Sequence, residues 1–67
     1  MKISYDKLWV KMKRKKMNKT VLIQKTGMST STMAKLVKNE PVALPILMRV
    51  CEVLDCNVGD VVDFVKE

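Results

Sequence analysis

Asn18 and Ser29 each follow a methionine and each precede, by four positions, a second large apolar residue: Met17-Asn18 with Leu22, and Met28-Ser29 with Met33. A short polar side chain that accepts hydrogen bonds from first-turn amides marks a helix start when an apolar pair staples the incoming chain around it. The pattern occurs a third time, at Ile3-Ser4 with Leu8. Gly27 stands just before the last of these starts, and glycine most readily takes the left-handed conformation that closes a helix. Only Gly27 and Met28 then separate the end of one helix from the cap of the next. Two short helices joined so tightly must meet at a sharp angle, as in a helix-turn-helix.

The spacing of apolar residues predicts five short helices in one all-α domain spanning residues 1–67. The first starts at the Ser4 cap and carries Tyr5, Leu8, Trp9 and Met12 as a core stripe. The second runs Lys19–Thr26. The third covers Ser29–Lys38, closed by Asn39 in the left-handed conformation and by Pro41 beyond it. On this third helix Met33, Leu36 and Val37 share the side expected to pack on the first two. The fourth spans Leu44–Leu54, with Pro45 tolerated in its first turn and Leu47, Val50, Cys51 and Leu54 facing inward. A fifth is expected after Asn57, with Asp60 completing a capping box and Val58, Val61, Val62 and Val65 buried. The valines also suit a strand, but their spacing and the cap favour a helix.

The net charge of +6 is unevenly distributed. Residues 1–38 carry eleven Lys or Arg against Asp6 alone, whereas residues 39–67 carry two basic residues against six acids. Such polarity orients a protein on a polyanion. The run Lys11–Lys16 fits general electrostatic attraction to phosphates better than a membrane-surface segment, because the opposite face of that helix is already committed to the core. There is no histidine, and Cys51 and Cys56 do not have the spacing of a redox or zinc pair. Neither a glycine-rich phosphate loop nor a paired set of acids in a cleft is evident. No metal, cofactor or enzymatic activity is therefore expected. The absence of a stretch of ~18 apolar residues or an apolar leader places the expected chain in the cytoplasm, away from membranes. Tyr5, Trp9 and Phe64 are the only aromatics, too few exposed rings for a base-stacking RNA module.

The outer face of the third helix holds Thr30, Ser31, Ala34, Lys35 and Lys38. Small residues let a helix sit deep in a major groove, where Ser and Thr bond base edges or phosphates and Lys bonds guanine O6 and N7. The N-termini of the second and third helices offer free amides and positive dipole ends to phosphates.

The stretch Asn18-Lys19-Thr20-Val21-Leu22-Ile23-Gln24-Lys25-Thr26-Gly27-Met28-Ser29-Thr30-Ser31-Thr32-Met33-Ala34-Lys35-Leu36 resembles the helix-turn-helix of Cro/phage-repressor (XRE-like) transcriptional regulators. Residues 7–20, "KLWVKMKRKKMNKT", and the ending "CEVLDCNVGDVVDF" extend the likeness to a short single-domain bacterial subgroup. The resemblance implies a five-helix bundle of the lambda-repressor-like type and a regulator of transcription that binds double-stranded DNA, commonly as a homodimer, with no small-molecule effector. It implies base contacts by Thr30, Ser31, Thr32 and Lys35, and phosphate contacts by Asn18, Lys19, Ser29 and Lys38. Lys19 stands where many members carry a Gln that also buttresses a base-reading side chain. Asn39 replaces the usual Gly, and Ala43 stands where Ser often caps the fourth helix. Met12 and Val37 occupy the places of a buried Arg–Glu pair, so they are expected to touch. Ile46, Met48, Val53 and Phe64 fall off the core stripes and leave apolar surface for a dimer through the fifth helix. An alternative is a protein-interaction module of antitoxin type, with DNA binding secondary.

Overall fold

The computed structural model describes residues 1–67, in the order β1 (Lys2–Ser4), α1 (Asp6–Arg14), α2 (Lys19–Thr26), α3 (Thr30–Val37), α4 (Leu44–Leu54), one 3₁₀ turn (Val58–Asp60) and β2 (Asp63–Val65). Asn18 and Ser29 cap α2 and α3 as their positions require. Asn18 Oδ1 accepts from the Val21 amide at 2.8 Å, and Ser29 Oγ accepts from the Thr32 amide at 3.1 Å. Gly27 closes α2 at φ +73°. The buried Thr26 hydroxyl donates to the Leu22 carbonyl at 2.7 Å and accepts from the Met28 amide at 3.4 Å. That hydroxyl ties the last turn of α2 to the first residue past the glycine, setting the angle at which α3 departs.

All four helices are followed by a left-handed residue: Lys16, Gly27, Asn39 and Asp55. After α1, α3 and α4 the chain folds back with a bond spanning five residues, Met17 N to Met12 O, Glu40 N to Lys35 O and Cys56 N to Cys51 O. These bonds satisfy carbonyls that a helix end leaves orphaned. Asn39 takes this role as expected, Asp55 is of a type that tolerates it, and Lys16 carries no compositional signal for it. Ala43 gives α4 no side-chain cap, and Pro45 sits in the first turn.

The core is aliphatic apart from Tyr5. Leu8, Leu22, Leu36, Val50, Leu54 and Val61 are fully buried at its centre, with Met12, Met28 and Met33 filling around them. No helix is long and apolar enough to cross a membrane.

Three expectations are corrected. The fold has four α-helices and a two-stranded sheet, and the segment read as a fifth helix is a single 3₁₀ turn followed by β2. The capping box at Asn57 does form, with the Asp60 carboxylate accepting from the Asn57 amide at 3.0 Å. Beyond it the chain extends and pairs antiparallel with β1, Ile3 opposite Phe64. Gly59 and the β-branched valines form helix poorly, and a strand partner from the other end of the chain prevails. Only Val61 of the four valines is buried, and Val58 is exposed.

Ser4 ends β1 rather than capping α1. Its Oγ accepts from the Asp6 amide at 3.3 Å, while Tyr5 occupies the cap position.

Val37 does not pack into the core. It is 49% exposed while Met12 is 3% exposed, so the two line one groove without forming a buried pair. Tyr5 makes the join between the start of α1 and the end of α3 instead. Its amide donates to Asn39 Oδ1 at 3.1 Å and its hydroxyl to the Glu40 carbonyl at 2.7 Å.

Candidate nucleic-acid interface

Met33 and Leu36 bury one side of α3, which turns Thr30, Ser31, Ala34, Lys35 and Lys38 outward. These positions repeat at helical spacing and make one continuous face. Thr32, half-buried, lies beside it, and its Oγ1 is 3.1 Å from Ser29 Oγ. The Ser29 hydroxyl is thereby engaged twice, with the Thr32 amide and the Thr32 hydroxyl. Its first task is to hold α3 together at the end nearest the turn.

Asn18, Lys19 and Thr20 are exposed at the N-terminus of α2, whose first turn contains no acid. The Lys19 ammonium lies over the Trp9 ring, 5.3 Å from its centroid. It thus leans toward α1. A groove beside this pair is lined by Trp9, Met12, Met17 and Val37, with Lys13 and Lys19 among its polar residues.

The molecule has one ion pair, Lys7 with Asp63 at 3.9 Å, both well exposed. Every other cation of the basic half, including Lys19, Lys25, Lys35 and Lys38, lacks an acidic partner. An uncompensated positive surface of this kind suits a phosphate polymer. Cys51 and Cys56 are free and half-buried, in and just after α4. Burial pushes the Cys51 thiol up, reinforced by neighbouring Cys56 and Asp60, so it remains a neutral thiol at ordinary pH.

A family described as the Cro/C1-type HTH DNA-binding domain matches residues 7–67. The chain belongs to that family. Among solved structures it is similar to one titled "Crystal structure of transcriptional regulator VanUg, Form II", with a TM-score of 0.94 and 42% identity over 98% of this chain and 88% of the other. A search of curated proteins finds no match. In a Cro/C1-type domain, α2, the Gly27 turn and α3 are the helix-turn-helix, and double-stranded DNA is the partner of the fold.

The outer face expected for α3 is exposed, and so are Asn18 and Lys19 at the N-terminus of α2. Sequence reasoning missed three side-chain contacts beside these surfaces. Thr26 fixes the turn, Tyr5 anchors the residues after α3, and Trp9 faces Lys19. Thr26 and Tyr5 sat in view, as the residue before Gly27 and the residue after Ser4, but their partners lie across the fold or inside the helix. Nothing in the spacing of Trp9 points to Lys19.

Proposed function

We propose that this chain regulates transcription by binding duplex DNA sequence-specifically, with α3 laid in the major groove. The observation that carries the reading is the outward face of α3, small, hydroxylated and basic, on a rigid helix-turn-helix whose cations are unpaired. In this arrangement Thr30, Ser31 and Lys35 read base edges, with Thr32 at the margin of the face, while Asn18, Lys19, Ser29 and Lys38 meet phosphates. The similarity to a transcriptional regulator supports the regulatory role.

A homodimer fits the same reading. Leu44 and Met48 on α4 and Val58 in the 3₁₀ turn line an apolar groove, and Phe64 on β2 is exposed. Ile46 and Val53, expected to contribute, pack against the core instead. The contact would therefore be made by α4 and the C-terminal segment, not by a fifth helix. Two copies of a body 32 Å in its longest extent can present their α3 helices about 34 Å apart, the spacing of adjacent half-sites.

Selection of bound duplexes from a random pool tests both points. A two-fold consensus with half-sites one turn apart is expected, and a pool without enrichment refutes sequence-specific binding. Sedimentation that shows only monomer, free and on the selected duplex, removes the dimer. Lys35→Ala should relax one base position by about 1–3 kcal/mol.

A further inference from the structure

Lys19 occupies the first position of α2, where the helix dipole is positive and a cation is disfavoured. No acid lies in that first turn and no carboxylate pairs with the ammonium. Lys13 lines the same groove and adds a second positive charge. Left to itself, a flexible lysine here would swing into solvent, away from the helix end. It lies instead over the indole of Trp9, a half-buried residue on α1 held in place by packing against the core. Trp presents the best ring face for such a cation. The contact restricts a side chain that otherwise has many rotamers.

We propose that Trp9 is a positioning residue for the phosphate contact of Lys19. The ring holds the ammonium beside the Asn18 cap and the free amides of α2, so that one backbone phosphate meets a charge and a helix N-terminus together. Because the Lys19 ammonium rests on Trp9 of α1, this contact anchors any sequence equally and leaves base reading to α3. The inference rests on the DNA-binding reading above.

The test combines the free protein with a double-mutant cycle on DNA. In the free wild type, the Lys19 ε-methylene protons should show an upfield ring-current shift, lost in Trp9→Leu. On a duplex of random sequence, Trp9→Leu should weaken binding about two- to five-fold. Lys19→Ala should weaken binding to all sequences alike and reduce the salt slope by about one unit. Adding Trp9→Leu to Lys19→Ala should cost nothing further. Trp9→Phe, which keeps a ring face, should recover part of the loss, and it carries the cycle if Trp9→Leu does not fold.

An unshifted Lys19 in the free protein overturns the proposal. So does an equal loss from the Trp9 change with and without Lys19, which would mean that the ring contributes by packing alone. In either case wild-type binding to DNA survives, so the failure is specific to Trp9. Wild type that binds no duplex at low salt refutes the DNA reading itself and the positioning role with it.

Discussion

Asn18 and Asn57 adopt nearly the same backbone conformation, with φ −105° at both and ψ 173° and 166° respectively, and each side chain accepts a hydrogen bond from an amide just ahead of it. After Asn18 the chain makes eight residues of α-helix, whereas after Asn57 it makes one 3₁₀ turn of three. Asn57 even has the fuller local device, since Asp60 reciprocates the cap. The difference lies beyond the first turn. Leu22 and Val61, each four positions past its cap, are both fully buried, but α2 runs on to Thr26, which closes the helix from within. Past Asn57, Gly59 and a run of valines resist helix, and residues 2–4 wait at the right place to pair. A cap therefore decides where a helix begins. Its length is decided by what the next two turns can bury.

The largest effect should come from the core side chain behind each cap. Leu22→Ala should destabilise the domain by about 2–5 kcal/mol in urea unfolding. Val61→Ala, which removes two methyl groups from the corresponding place in the C-terminal segment, should cost about 1.5 kcal/mol from transfer alone. Equal losses would mean that the two segments depend on the core alike.

Removing residues 1–3 addresses the competing partner directly. The β2 amides that bond to β1 should lose their protection from hydrogen exchange while those of α2 and α3 keep theirs. No new helix should appear by far-ultraviolet circular dichroism, because the local sequence after Asn57 is a poor helix former. A gain in helix would show that pairing with β1 alone had suppressed it.

The helix ends give a smaller contrast. Gly27 and Asp55 are both left-handed, at φ +73° and +52°, and no atom lies near the place a Gly27 side chain would fill. Gly27→Ala should thus cost only backbone strain, about 1–2 kcal/mol. Asp55→Gly should stabilise, by up to about 1 kcal/mol, as strain is relieved against added chain entropy. Thermal unfolding of the pair distinguishes the signs.

Smallest are the caps themselves. Asn18→Ala should lose about 1 kcal/mol. Asn57→Ala should lose less, since fewer residues depend on its turn. A larger loss at Asn57 would mean that the 3₁₀ turn, and not the strand pairing, holds the C-terminal segment in place.

Burial pushes the Tyr5 hydroxyl above its ordinary value, against a smaller opposing pull from the Val42 backbone. Its contribution to stability is complete below the unfolded tyrosine's titration near 10.0 and is lost as pH rises through the folded value. Alkaline unfolding should therefore be less steep in Tyr5→Phe, although that variant forgoes the bond to Glu40 at neutral pH.

Much of this architecture is written locally. The bounds of α2 and α4, the caps at Asn18 and Ser29, and the left-handed Gly27 and Asn39 follow from residues within a few positions of one another, because first-turn hydrogen bonds and backbone sterics act over that range. The outward face of α3 follows equally, since burying Met33 and Leu36 leaves Thr30, Ser31 and Lys35 nowhere else to point. Only tertiary structure decided what spans the chain. The two ends pair as strands, Tyr5 reaches Asn39 and Glu40, Val37 is left at the surface, and Lys19 leans on Trp9. Each of these depends on which elements arrive side by side after the core has closed, and no local pattern encodes that arrival.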